Sequence, residues 1–322
     1  MDKSPTNRNI DVLIFEGVNL LDIAGPVQAF EAALHHDRRV YAHRYVSFDG
    51  GPVRASNGLL LQADCALAGR VPGRDFLVPG GDGVDAALRH HPLLDAVRDK
   101  AAETSGARLI SICSGALILA AAGVLDGRPA TTHWSREGDT RDYAQVMWDL
   151  DRISVSQDNV FTSAGVTTGI DLALAIIRAD CGNATALAVA RELVVQLRRT
   201  GGQSQYAIHL AGQFTRDDNL GRLIEAVIAR PDRDWTLDDL AREAGMNSRT
   251  LSRQFNRHLK TSPAQFVERV RVDHARGLLS ERMPLKTVAS SSGFGDTQRM
   301  RRAFQRHFGV GLGDYIRIFG DG

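Results

Sequence analysis

The hydrophobic and polar positions of this chain follow two different rhythms. In the first part, apolar runs rich in Val, Ile, Leu and Phe recur at Ile10–Phe15, His43–Phe48, Asp75–Val78 and Arg108–Ile112, and these read as β-strands. Between and after them, apolar residues return at helical spacing. One helix opens at Pro26, a favoured first helical position, and runs to about Leu34; others cover Leu93–Thr104, Gly115–Ala122, Thr168–Ala179 and Ala184–Arg199. Strand alternating with helix predicts an α/β fold of flavodoxin-like form, a parallel sheet with helices on both faces. The stretch TGGQSQYAIHLAGQFTRDDN keeps no period, so residues 201–219 read as a linker. Beyond it strand signals vanish and short amphipathic helices follow one another. The expected division is residues 1–200, the linker, and an all-α domain over 220–322, in a chain of 322 residues, twice the usual domain length.

The second rhythm is itself a repeat. Leu237, Leu240, Ala241 and Gly245 recur 48 residues on as Leu285, Val288, Ala289 and Gly293. Leu251, Phe255 and Leu259 recur 49 residues on as Met300, Phe304 and Phe308, which places one inserted residue in the second turn. Each copy is a short helix, a Gly-containing turn, and a second helix with apolar residues at i, i+4 and i+8, which is the pattern of a helix-turn-helix. Thr236 with Asp239 forms a capping-box pattern, and Ser248 and Asp296 stand where the second helices need N-caps. With the apolar stripes turned inward, Ser248, Arg249, Thr250, Arg253 and Arg257 face outward in the first copy. Thr297, Gln298, Arg299, Arg302 and Arg306 do so in the second. Arg binds guanine bidentately, Gln reads adenine, and either holds phosphate. A pair of helical hairpins with merely solvated basic faces is the plainer alternative.

Charge sharpens this picture. The formal net charge is only +1, yet residues 245–310 hold thirteen Lys and Arg against four Asp and Glu. A basic segment in a near-neutral chain marks a localised polyanion-binding surface. The C-terminal part resembles the DNA-binding domain of the AraC/XylS family of bacterial transcriptional regulators over about Leu220–Phe319. The resemblance rests on Ala241 with Gly245, Ser248, Leu251 and Phe255, the Ser262-Pro263 step with Phe266, then Arg271, Arg276 and Leu279. The GFGD stretch Gly293–Asp296, Phe304, Arg306 and Gly309 complete it. Met300 stands where the family usually has an aromatic residue, and Gly311-Leu312 where it usually has Ser-Pro. The resemblance implies two helix-turn-helix units joined by a long helix, about Pro263–Ser280, whose second helices enter successive major grooves.

Chemistry in the N-terminal part centres on RLISICSGALILAAAG, a strand, Cys113 at a sharp turn, and a helix beginning near Gly115. A helix N-terminus favours the thiolate, and the Ser114 N–H would point at an oxyanion. The Pro79-Gly80-Gly81 turn is placed to offer a second N–H. This part resembles the class I glutamine amidotransferase-like superfamily in its ThiJ/PfpI branch, over roughly Ile10–Arg199. Cys113 matches the nucleophile, Asp22 the acid that contacts it, and His133, in a TTHW stretch, the histidine near it. The enzyme-like pattern is that of isocyanide hydratases, with Cys-Ser-Gly here for their Cys-Thr-Gly. Plainer roles remain open: a packing cysteine, Asp22 as a helix cap, His133 as a core histidine.

The two resemblances together imply a regulator, expected as an activator that recruits RNA polymerase at promoter DNA. Its effector is a small nitrogen-containing metabolite, amino acid or amine-like, held by Asp22, Gly80, Gly81, Cys113, Ser114 and His133. A Cys113-dependent hydratase or hydrolase and a thiol redox sensor are the alternatives. A homodimer is expected; no cofactor, metal or membrane partner is. Cys65 and Cys181 read as structural, and His35-His36 and His90-His91 as exposed pairs without a third ligand. An odd cysteine count of three and a start, MDKSPTNRNID, without an apolar leader core place the expected chain in the bacterial cytoplasm, on the nucleoid when DNA-bound.

Overall fold

The structure is a computed structural model that describes residues 8–35, 38–69, 71–195, 218–259, 261–280, 283–308 and 310–319. His36, Gly309 and the expected linker up to residue 217 lie outside the described residues. The chain divides into two compact units, Met1–Arg199 and Thr200–Gly322.

The first unit is built on a seven-stranded sheet: β1 (Arg8–Leu13), β2 (Tyr41–Ser47), β3 (Cys65–Ala66), β4 (Asp75–Val78), β5 (Leu109–Ile112), β6 (Ser154–Gln157) and β7 (Val160–Ser163), in the order β6-β7-β5-β4-β1-β2-β3. All neighbours are parallel except β6, which pairs antiparallel with β7. Sequence reasoning passed over this edge hairpin. Its signal was present, since alternating SVSQ and VFTS flank Asp158-Asn159, and Asp158 takes a positive φ of 54° as tight hairpin turns require. Every residue of β4 and β5 is buried, so both faces of the sheet are covered. Helix α1 (Leu20–Glu31) packs against α5 (Thr168–Glu192), while α2 (Val84–Ala87) and α3 (His91–Ala102) pack against α4 (Gly115–Ala121).

One helix differs from expectation. Helix α1 begins at Leu20, not Pro26, because Asn19 caps it by accepting the Leu21 N–H at 2.9 Å. Pro26 sits inside, where its missing N–H leaves the Asp22 carbonyl without its helical donor. Pro26 and Gly25 instead form the contact with α5: a Cβ on Gly25 would stand 3.0 Å from Ile170 Cγ1, and one on Gly169 would stand 3.4 Å from Pro26 Cδ. The span α5 holds the two helices expected over 168–179 and 184–199, with the break between them at Gly182 (φ 83°, ψ 171°); residues 196–199 lie outside the described residues. Among the described residues it is the one helix long and apolar enough to cross a membrane, but Leu172, Leu174, Ile176 and Ile177 are buried in the core.

A charged cluster ties α5 to the opening ends of the strands. Arg108 Nη2 donates to Asp180 Oδ2 at 2.5 Å and its Nε lies 3.2 Å from Asp75 Oδ2, while the Tyr41 hydroxyl donates to Asp180 at 2.7 Å.

The second unit contains α6 (Asp218–Ala229), α7 (Leu237–Glu243), α8 (Ser248–Leu259), α9 (Pro263–Ser280), α10 (Leu285–Ser291), α11 (Thr297–Phe308) and α12 (Leu312–Phe319). Helices α7–α8 and α10–α11 are the two helix-turn-helix pairs and α9 is the long connector. Positions 244–247 separate the first pair and 292–296 the second, which is the inserted residue. The first turn carries Gly245 at φ 62°; the longer one carries Gly293 and Gly295 at 80° and 77°. Thr236 and Asp239 make the capping box. Asp296 caps α11, taking the Gln298 and Arg299 N–H groups at 2.8 Å. The cap of α8 is Asn247, whose side chain accepts the Thr250 N–H at 2.8 Å, rather than Ser248, whose hydroxyl is given to Asp238. Met300 and Phe304 are fully buried, so methionine fills the place of the family's aromatic.

Replacing Arg108 with Ala leaves Arg8, at 3.3 and 3.6 Å, as the cation shared by Asp75 and Asp180. We expect a loss of about 3 kcal/mol, the low end for breaking a buried ion pair, read from the first unit's transition in urea unfolding.

Candidate functional site

Cys113 stands at the corner between β5 and α4 with φ 58°, the strained left-handed conformation of a nucleophile elbow. Three glycines make room for it. A Cβ on Gly80 would come within 2.8 Å of Cys113 Cβ, one on Gly165 within 2.2 Å, and one on Gly115 would strike the Val78 carbonyl at 2.2 Å. The sequence pointed to Gly80 and Gly115. Gly165, which follows β7, was missed because β7 itself was missed.

Asp22 lies on the first turn of α1 and is fully buried. Its Oδ2 accepts the Gly80 N–H at 3.1 Å and its Oδ1 the Val166 N–H at 2.8 Å, and it also hydrogen-bonds the Cys113 thiol. Burial outweighs these bonds and raises its pKa to about 6. Burial, and then the neighbouring Asp22 charge, push the Cys113 thiol up to about 12. The Ser114 N–H and hydroxyl pull the other way without prevailing. The thiolate expected from the helix N-terminus is thus overturned: at neutral pH the sulfur keeps its proton.

The other expected residues are placed as follows. Ser114 Oγ accepts the Gly81 N–H at 3.2 Å, so the amides of Gly80 and Gly81 are both already engaged by protein groups. His133 pairs through Nδ1 with Ser135 Oγ at 2.7 Å, and burial draws its pKa down. Among the described residues no hydrogen bond joins it to Cys113. The residue of that stretch that reaches the elbow is Thr132, whose hydroxyl donates to the Cys113 carbonyl at 2.9 Å. The cluster is therefore a closed acid–thiol pair, with Cys113 only 8% exposed.

Cys65 and Cys181 are partly exposed free thiols, and no group of three metal-ligating side chains occurs among the described residues. His90 and His91 are not a matched surface pair. His90 caps α3, accepting the Leu93 N–H through Nδ1 at 3.2 Å, and stacks on Phe48 at 4.0 Å.

In the second unit Arg249, Arg253 and Arg257 are exposed on α8, as are Gln298, Arg299, Arg302 and Arg306 on α11; Ser248, Thr250 and Thr297 are half-buried. Arg306 is not free. It grips Glu268 of α9 with Nε at 3.2 Å and Nη2 at 2.6 Å, beside His307 at 3.3 Å.

A doubly wound sheet carrying a cysteine elbow, followed by a duplicated helix-turn-helix, defines a two-part chain of receptor-like and DNA-binding types. Residues 8–179 match the DJ-1/PfpI family and residues 240–318 match a helix-turn-helix domain. The chain belongs to the DJ-1/PfpI family and carries an AraC-type helix-turn-helix region at its C-terminal end. It is 28% identical over 317 residues to the HTH-type transcriptional regulator GbdR of Pseudomonas aeruginosa (strain UCBPP-PA14), covering 95% of this chain and 84% of the relative. It is 36% identical over 191 residues to the isonitrile hydratase of Pseudomonas putida, covering 57% of this chain and 77% of the relative. The crystal structure of a ThiJ/PfpI family protein from Pseudomonas syringae shares the fold, with a TM-score of 0.54 at 23% identity over 75% of this chain and 92% of that one.

Asp22 has a pH signature. The folded chain holds its proton up to about pH 6, whereas the unfolded chain releases it near 3.8. Between those values the folded state binds more protons, so stability falls as pH rises. We expect Asp22→Asn to remove a decline of about 2 kcal/mol between pH 4 and 7, seen as the difference between the two chains' urea-unfolding profiles.

Proposed function

We propose that this chain is a sequence-specific DNA-binding transcriptional regulator whose first unit receives a small nitrogen-containing molecule and does not turn it over. The carrying observation is the duplication. Two recognition-type helices expose arginines at equivalent positions, Arg253 and Arg257 on one and Arg302 and Arg306 on the other, with Arg249 and Arg299 exposed beside them. Such side chains hold phosphates and read guanine in the major groove. The name borne by the relative that aligns along 95% of the chain supports the same reading.

The receptor role is supported by the state of the elbow. A buried thiol that keeps its proton, bonded to the weakly basic Asp22 carboxyl and not to a histidine, is poor nucleophilic machinery. Effector binding shifts an existing equilibrium between DNA-binding states of a homodimer, which recruits RNA polymerase at promoters in the bacterial cytoplasm. The likeness to isonitrile hydratase favours a second reading, a Cys113-dependent hydratase or hydrolase. Turnover abolished by Cys113→Ala with DNA binding intact would establish it.

Selection of bound duplexes from a random pool tests the main reading. The expected product is a motif of two blocks about one helical turn apart, ~10 base pairs. A pool that stays random sinks it. Arg253→Ala and Arg302→Ala should each weaken binding to the selected site by roughly 1–3 kcal/mol. Arg306→Ala should weaken it less, since its guanidinium is held by Glu268. Affinity should fall steeply with salt as counterions are released, which a titration of KCl checks.

A further inference from the structure

The elbow is closed, but the first unit does hold an open crevice two strands away from it. The strand order reverses at β1. The chain goes from β1 to β2 and β3 on one side, then returns to β4, β5 and β7 on the other. In doubly wound sheets ligands bind at such a reversal, outside the carboxyl ends of the strands. Here a cavity of about 170 Å³ opens between Phe15 and Glu16 after β1, Phe48 after β2, and Ala86, Arg89 and His90 around α2. Gly83 lets the two walls meet at the base, since a Cβ there would stand 1.8 Å from the Glu16 carbonyl oxygen and 3.2 Å from Phe15 Cδ2.

The lining has a definite chemistry. Phe48 lies parallel to His90 within 9° and to Phe15 within 5°, and the cap bond to Leu93 fixes the His90 ring. Aromatic faces attract cationic nitrogen. Glu16 uses Oε2 to accept the Arg54 N–H at 2.8 Å, and its other oxygen has no partner among the described residues. Arg89 is exposed and has no carboxylate partner among the described residues. The crevice thus brings the partly exposed Phe48–His90 stack, an anion and a cation together, with Phe15 buried behind them. An apolar cavity of about 150 Å³ takes a six-carbon ring, so the matching ligand has roughly six to eight heavy atoms.

We propose that this crevice is the effector subsite and that it takes a small ammonium carboxylate, nitrogen against the Phe48–His90 stack and Glu16, carboxylate on Arg89. The proposal rests on the receptor reading given above and moves the ligand away from Cys113.

Calorimetric titration of the full chain tests it, with glycine, β-alanine, γ-aminobutyrate and 5-aminovalerate as probes and butylamine and butyrate as single-charge controls. At least one zwitterion should bind ten times more tightly than either control. Arg89→Ala and Glu16→Gln, both at exposed positions, should each weaken it fivefold or more, and Ala86→Trp should abolish it. No binding by any of the four zwitterions overturns the proposal, and so does equal binding of butylamine. Loss of binding in Cys113→Ala with full affinity in Arg89→Ala and Glu16→Gln also overturns it, placing the ligand at the elbow and leaving the receptor reading standing. The regulator reading fails separately, on the random-pool selection.

Discussion

The buried carboxyl of Asp22 is the constraint on which the first unit's architecture turns. It accepts N–H groups from Gly80 after β4 and Val166 after β7, and it meets the thiol after β5. One side chain on α1 thereby fixes the ends of three strands that share no turn with it. Burial raises the pKa of this carboxyl to about 6, and above that pH its charge helps hold the proton on Cys113. Neighbours that would carry a Cβ into this space are glycines, at 80, 115 and 165. The elbow's strain is held by packing, not by a local turn preference.

Much of this was legible in sequence because it obeys local rules. The four strands of the parallel core, the elbow, and the two helix-turn-helix units with their inserted residue all follow from periodicity and from glycine at positions of positive φ. What escaped was set by tertiary competition. Pro26 looked like a helix start, but Asn19 offered a better cap and Pro26 was needed against α5. Ser248 looked like a cap, but Asn247 stood one residue nearer and Asp238 claimed the serine hydroxyl. The sign of the Cys113 shift depended on burial and on Asp22, neither of which a sequence displays. The β6–β7 hairpin was readable from Asp158-Asn159, and with it Gly165 and Val166 could have been found.

The basic surface of the second unit shows the same competition. Equivalent positions in the two repeats do not have equivalent fates. Arg257 stays exposed on α8, whereas Arg306 is pinned to Glu268 on α9. The ion pair engages charge that could meet phosphate and joins α11 to the connector.

The crevice and the elbow are wired to each other through main-chain hydrogen bonds. Glu16 leads into Gly17–Asn19, a segment held by Gly17 N–H to the Arg54 carbonyl at 2.8 Å and by Asn19 N–H to the Gly80 carbonyl at 2.9 Å. The Gly83 N–H returns to the Gly17 carbonyl at 3.2 Å, and Val18 bridges Gly81. This segment ends at the cap of α1, whose first turn carries Asp22. A ligand charge that draws on Glu16 or Arg89 therefore acts on a short strap, one end lining the crevice and the other setting the carboxyl that joins three strand ends. Ligands shift an equilibrium only by their differential affinity for its two states. Gly17 and Gly81, both at positive φ, let this strap pack directly backbone against backbone, with no room for a Cβ at either. The elbow cysteine then has its place as a buried neighbour whose packing registers where Asp22 stands, and its protonated sulfur suits that part better than nucleophilic attack.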